Sequence, residues 1–344
     1  MKRGLIAWNK DEISPAAFQR RLEKVRRVLS EQQLSALVVY SELWRSNQAR
    51  FFSNYMPYFN RALLVIPLEQ PPILLCGLTP RVYGWIRSVT IIEDIRPAAD
   101  FATPLLQLAS ERNWTRIGIV DDQQLPYDIF KAIRSGTPQV VDVDSEAVFT
   151  PGEDETELAM RSKTAAMARA IITEELPTGV GNVDHRFAGV LEKRFRRAGV
   201  EDLITLLTNG RTPPAPPAGT VLEENYSISL AVEYRGHWIR LSRPHATAEV
   251  LVQYGKQFEE FLSGMTAPSA AAAVASQHFI EGAATRPVPA VPRGEFCIED
   301  LSGSYPYEVG SGSIFALHLE FNAGGKRLFY GDTCRHSESG LKPL

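Results

Sequence analysis

Residues 226–243 read YSISLAVEYRGHWIRLSR, and their pattern decides what the second half of the chain builds. Tyr226, Ile228, Leu230, Val232 and Tyr234 fall on one side of an extended segment, with Ser227, Ser229, Ala231 and Glu233 on the other. A period of two marks a strand with two unlike faces. Arg235-Gly236 supplies a tight reversal, since glycine tolerates the positive φ that such turns require. The return strand puts Trp238, Arg240 and Ser242 on one face and His237, Ile239 and Leu241 on the other. Two readings follow: an ordinary hairpin with one wet face, or a pocket wall of small polar groups and an arginine with an apolar back.

Upstream of the hairpin, the acidic turn GEDETE leads into LAMRSKTAAMARAIITEEL, a long helix with its acids where the helix dipole favours them. A second helix spans about Val183–Ala198, and LITLLT is a strand. The loop NGRTPPAPPAGT is stiff and extended because of its prolines. Downstream, residues 247–263 read as a helix, Pro268–Ile280 as an alanine-rich helix and Arg286–Gly294 as a loop. Two last strands, Ile314–Phe321 and Lys326–Tyr330, are joined by Asn322-Ala323-Gly324-Gly325.

The first half alternates strands and helices. A helix over residues 15–32 starts at Ser14-Pro15 and carries Phe18, Leu22, Val25 and Leu29 at helical spacing. Strands follow at LSALVVY, at Ala62–Ile66 after an aromatic loop, at PPILLC, at SVTIIEDI and at RIGIVDD, with helices at Pro104–Glu111 and Tyr127–Ile133. This order implies an α/β layer domain that ends near Val148, with a boundary at Phe149–Gly152.

Composition bounds the function. The chain has 344 residues, 22% charged, with a net charge of -3, so nothing favours nucleic acid or an anionic membrane surface. Cys76, Cys297 and Cys334 form no C-x-x-C pair, which argues against a disulfide framework or a zinc knuckle. With no apolar run of membrane-spanning length and no signal-like start, a cytoplasmic location is expected.

The order of elements resembles the creatinase, aminopeptidase P and methionine aminopeptidase superfamily, the pita-bread fold. The resemblance runs through FQRRLEKVRRVLSEQQLSALVVYSELW, FFSNY and NRALLVIP in the first half, PGEDETELAMRSKTAAMARAI at the start of the second, the hairpin with Arg243, and EVGSGSIFALHLEFNAGGKRLFYGDT at the end. It implies a creatinase-like α/β domain over residues 1–149 and an α+β pita-bread domain over 150–344. Metal-dependent members of that superfamily place two aspartates on the hairpin, a histidine further on, and two glutamates on the last strands. Aligned on those positions, this chain has Ser229 and Arg240 for the aspartates, His318 for the first glutamate and Gly331 for the second. Arginine stays charged and offers no lone pair, so no dinuclear metal site and no cofactor are expected. Creatinase works without metal, through a histidine base and glutamates that hold a guanidinium. Those positions fall nearest Thr212 and on Ser242, so its activity does not carry over either.

The candidate chemistry is therefore anionic recognition. His318 is the expected acid/base group, because imidazole titrates near neutrality. Glu320 is expected to orient it or to pair with Arg240, and Glu299 to act as a base beside Tyr305. Arg240, Ser242, Trp238 and Ser229 are expected to line the substrate pocket. Arg61 matches the superfamily arginine that reaches a neighbouring subunit's pocket and binds a carboxylate. His318 and Glu320 with Asp332, and Cys334 with His336, are lesser possibilities for one metal ion and for a nucleophile pair. Two functions are carried forward. One is a metal-independent creatinase-like enzyme acting on a small carboxylate-bearing amino-acid derivative at a C–N bond. The other is a non-catalytic pita-bread module serving as a binding or regulatory partner. A homodimer is expected in either case.

Overall fold

A computed structural model of the chain describes residues 7–43, 45–58, 60–149, 154–210, 214–264, 279–280, 283–289, 314–323, 326–337 and 340–344. Side chains at Glu146, at Ala248, through parts of residues 253–264 and over much of the last strands, His318 among them, lie outside that description. The chain divides into two compact units, Lys2–Thr150 and Pro151–Leu344.

In the first unit the elements run α1 (Pro15–Glu31), β1 (Ala36–Ser41), α2 (Asn47–Ser53), β2 (Ala62–Pro67), β3 (Ile73–Cys76), α3 (Tyr83–Val89), β4 (Asp94–Pro97), α4 (Ala102–Glu111), β5 (Arg116–Val120), α5 (Tyr127–Arg134), β6 (Gln139–Val143) and α6 (Ser145–Val148). Helix α1 begins where the sequence says it should: the Ser14 side chain accepts from the Ala17 N–H at 3.3 Å, and Pro15 sits in the first turn. The sheet order is β4-β3-β2-β1-β5-β6. Strand β2 runs antiparallel to both neighbours, and the other pairs are parallel. Both faces are covered: Leu37, Val39 and Leu64 pack with Leu22 and Val25 of α1, while Val38, Leu63 and Val65 pack with Leu105 of α4 and Ile129 of α5. That is why these strands read as unbroken apolar runs.

Two expectations are corrected here. Part of the aromatic segment is helical, with Phe51 and Phe52 inside α2. The strand expected at SVTIIEDI starts only at Asp94, since Ser88 and Val89 end α3. Thr90 diverts the intervening chain by donating to the Ser53 carbonyl at 2.6 Å and accepting from the Ile92 N–H at 3.2 Å.

The second unit runs α7 (Glu155–Glu175), α8 (Asp184–Arg197), β7 (Asp202–Thr208), β8 (Tyr226–Tyr234), β9 (His237–His245), α9 (Ala248–Gly264), β10 (Phe279–Ile280), β11 (Ala283–Pro289), β12 (Ile314–Ala323), β13 (Lys326–Ser337) and β14 (Gly340–Pro343). The sheet order is β10-β11-β12-β13-β9-β8-β7, with β14 added to β13, and every pairing is antiparallel. Asp154 caps α7 by accepting from the Glu157 N–H at 2.8 Å. One face of the sheet packs Tyr226, Ile228, Leu230, Val232, Ile239 and Leu241 against α7 and α8, which contribute Ile172, Phe187, Leu191 and Phe195.

The hairpin forms at the expected place, but its second face is not wet. All of β8 is buried, and so are the first six residues of β9. Downstream, Arg286–Pro289 lies in β11 and not in a loop, and Phe279–Ile280 is strand and not helix, while 265–278 lies outside the described residues. Proline is compatible with β11 because, among the described residues, 285–289 pair only to β12, which leaves the other strand edge without a ladder. Strands β12 and β13 run on to Ala323 and Ser337, beyond their expected ends.

Candidate functional site

The register of the second sheet assembles the candidate positions. His318 lies opposite Gly331, Gly331 opposite Ser242, and Ser242 opposite Ser229. These four form one cross-strand row, so the period of two assigns them to a single face. Arg240 is one row over on the same face, opposite Ala231 and beside Thr333. Ser227, Trp238 and Glu233 also belong to this face by alternation. The four positions aligned on sequence as counterparts of metal ligands thus converge in space, although they span residues 229–331.

The face is tightly bonded. Ser229 Oγ and Ser242 Oγ lie 2.6 Å apart, and both side chains are buried. Thr333 Oγ1 clasps the β9 backbone, accepting from the Arg240 N–H at 2.7 Å and donating to the Arg240 carbonyl at 2.8 Å. Ser227 Oγ of β8 accepts from the Phe329 N–H of β13 at 2.9 Å. The Thr333 bridge supplements the β9–β13 pairing, whose register is Gly331 opposite Ser242, and the Ser227 bridge ties β8 to β13. Arg240 is 6% exposed and Trp238 1%. The Trp238 carbonyl accepts from Arg161, which is held 2.6 Å from Glu157 in a buried ion pair.

The other sequence candidates are placed as follows. Glu320 forms an ion pair with Arg327, and this hydrogen bond holds the guanidinium above its ordinary pKa. Asp332 is opposite Leu317, so it points away from the face that carries Glu320 and the His318 position, and the three do not form a ligand set. Cys334 is fully buried, and burial first, then the nearby Asp332, pushes its thiol pKa up, which removes the thiolate a nucleophile needs. Arg61 is exposed at the start of β2, and its charge opposes the rise that burial and Glu42 impose on the Tyr40 hydroxyl. Glu299, Tyr305 and Thr212 lie outside the described residues. Among the described residues no group of three or more His, Cys, Asp or Glu side chains is arranged to hold a metal ion, and no helix is long and apolar enough to cross a membrane.

Sequence reading missed the network on the helix side of the same strands. Asp332 accepts from Arg243 at 2.6 Å and from Arg169 of α7 at 3.0 Å. Arg243 also donates to the Ser242 and Gly331 carbonyls at 2.8 and 2.5 Å and lies 4.4 Å from the centre of the Tyr330 ring. Arg243 was the one visible signal, through its place in the resemblance.

Residues 21–152 match the model of the Creatinase/Prolidase N-terminal domain. No curated protein matches the chain. Among solved structures, an X-Pro aminopeptidase from Thermotoga maritima MSB8 is 17% identical with a TM-score of 0.71, covering 94% of this chain and 96% of its own. A Xaa-Pro dipeptidase from Bacillus anthracis is 14% identical with a TM-score of 0.68, covering 95% and 97%. The N-terminal domain of the FACT complex subunit SPT16 from Eremothecium gossypii is 15% identical with a TM-score of 0.59, covering 95% of each chain. The chain therefore opens with a creatinase/prolidase-type N-terminal domain and has, along nearly its whole length, the pita-bread fold of the creatinase and aminopeptidase P superfamily.

Proposed function

We propose that this protein is a metal-independent binding module built on a peptidase fold, and that its hairpin face recognises a small carboxylate-bearing ligand. The observation that carries the reading is the 2.6 Å contact between Ser229 and Ser242 beside the buried Arg240. Two divalent ions at such a face need bridging carboxylates to offset their charge. The donors here do not fit that demand: two neutral hydroxyls satisfy each other, a guanidinium adds positive charge, and Gly331 brings no side chain. The same set suits an anion: the guanidinium matches a carboxylate in charge and geometry, and of the two hydroxyls that share a hydrogen bond one O–H is left to donate. At the level of fold, the likeness to a domain of the FACT complex subunit SPT16 supports a binding role, and the likeness to peptidases does not oblige hydrolysis.

A second reading, metal-independent turnover of a carboxylate-bearing amino-acid derivative, is favoured by one observation: His318 falls in the Ser229–Ser242–Gly331 row. In that reading His318 is the acid/base group, and Glu320, held by Arg327, is an anchor and not a base.

The test combines an X-Pro dipeptide hydrolysis assay, with added Mn2+ or with chelator, and calorimetric titration of N-acetyl amino acids. Chelator-sensitive hydrolysis would overturn both readings. Binding that weakens at least tenfold in Arg240→Gln, with no turnover, is the result expected. Chelator-insensitive turnover lost in His318→Ala would select the second reading.

A further inference from the structure

The first unit carries a groove of about 490 Å3 between α1, the β2–β3 turn, the start of β4 and the end of α4. That volume lies within the ~300–1,000 Å3 of ordinary small-molecule sites. Two arginines line it, Arg26 and Arg112. Arg26 Nη2 donates to the Gln70 carbonyl at 3.1 Å, and the Arg112 guanidinium carbon lies 5.5 Å from the centre of the Trp114 ring. Each side chain is only partly exposed, so the two cations are held in place along the groove.

The anionic side of the groove is equally specific. Asp94 is already engaged by Arg96, through Nε at 3.0 Å and Nη2 at 2.8 Å. Glu69 and Glu93 are exposed carboxylates of the same lining. A simple dianion such as phosphate would meet their repulsion. A molecule with a carboxylate at one end and an ammonium at the other answers both charge sets. Leu22, Ile91, Pro71 and Pro72 give the body of such a ligand an apolar wall.

We propose that this groove is a binding site for a small zwitterion, an amino acid or short free peptide. Its carboxylate lies on Arg26 and Arg112, and its ammonium lies toward Glu69 and Glu93. The proposal is independent of the hairpin face, which belongs to the other unit.

The experiment is calorimetric titration of the full-length protein with trialanine, N-acetyl-trialanine, trialanine amide and inorganic phosphate. Amide shifts at Gln70 and Glu93, read by NMR, locate the site. The expected result is binding of trialanine with shifts at both amides, at least tenfold weaker binding of either capped peptide, and no binding of phosphate. Arg112→Gln and Arg26→Gln should each weaken trialanine at least fivefold. Equal affinity for the capped peptides, phosphate binding as tight as trialanine, no trialanine binding, or variants without effect would each overturn the assignment.

Discussion

Asp332 accepts from two guanidiniums, Arg243 at 2.6 Å and Arg169 at 3.0 Å, while itself buried, so it ties β13 to β9 and to α7 at one point. Removing it leaves two cations without their counter-charge. Asp332→Ala should therefore cost about 3 kcal/mol of unfolding free energy, measured by urea denaturation. Asp184 fixes the proline loop in a similar way. Burial alone would raise its pKa, but the N–H groups of Ala218, Gly219 and Thr220 and the Thr220 hydroxyl outweigh this and hold it at about 2. A carboxylate with a folded pKa below its unfolded one stabilises above the unfolded value and loses that contribution as pH falls through the folded one. The stability difference between the parent protein and Asp184→Asn should thus be full above pH 4 and shrink between 3.8 and about 2. Cys334, buried and with its thiol pKa raised, should resist iodoacetamide in the native protein and react after denaturation, as read by peptide mass spectrometry.

At the scale of elements, the hairpin was the most legible part of the chain. Its period of two and its Arg-Gly reversal fixed both strands, and the turn residues have φ of 53° and 82°. A two-residue loop with both φ positive is a type I′ turn. Gly236→Val should destabilise the protein by about 1–2 kcal/mol in the same denaturation assay. What the hairpin's pattern did not convey was burial of its polar face, because Ser229 and Ser242 satisfy each other only once β8 and β9 are paired. The partner of Glu320 was illegible for a related reason. Arg240 and Arg327 both lie on its face, and only the β12–β13 register brings Arg327 against it. Prolines in β11 misled because their tolerance depends on an edge that is unpaired among the described residues, a property of the sheet and not of the segment.

For the molecule as a whole, the order of elements was enough to reach the pita-bread fold, since hydrophobic periodicity survives where identity to the solved structures is only 13–17%. Site chemistry rests on single side chains, so likeness of fold does not fix it. The same sheet that holds carboxylates in one protein can present hydroxyls and a guanidinium in another. Arg169, the partner of Asp332, is 163 residues distant in sequence, beyond the reach of any local pattern. The central proposal is that Ser229, Arg240, His318 and Gly331 do not form a two-metal centre. Equilibrium dialysis against Mn2+, followed by elemental analysis of the full-length protein, tests it most directly. Fewer than one bound ion per chain is the outcome the account predicts, and two tightly held ions per chain would contradict it.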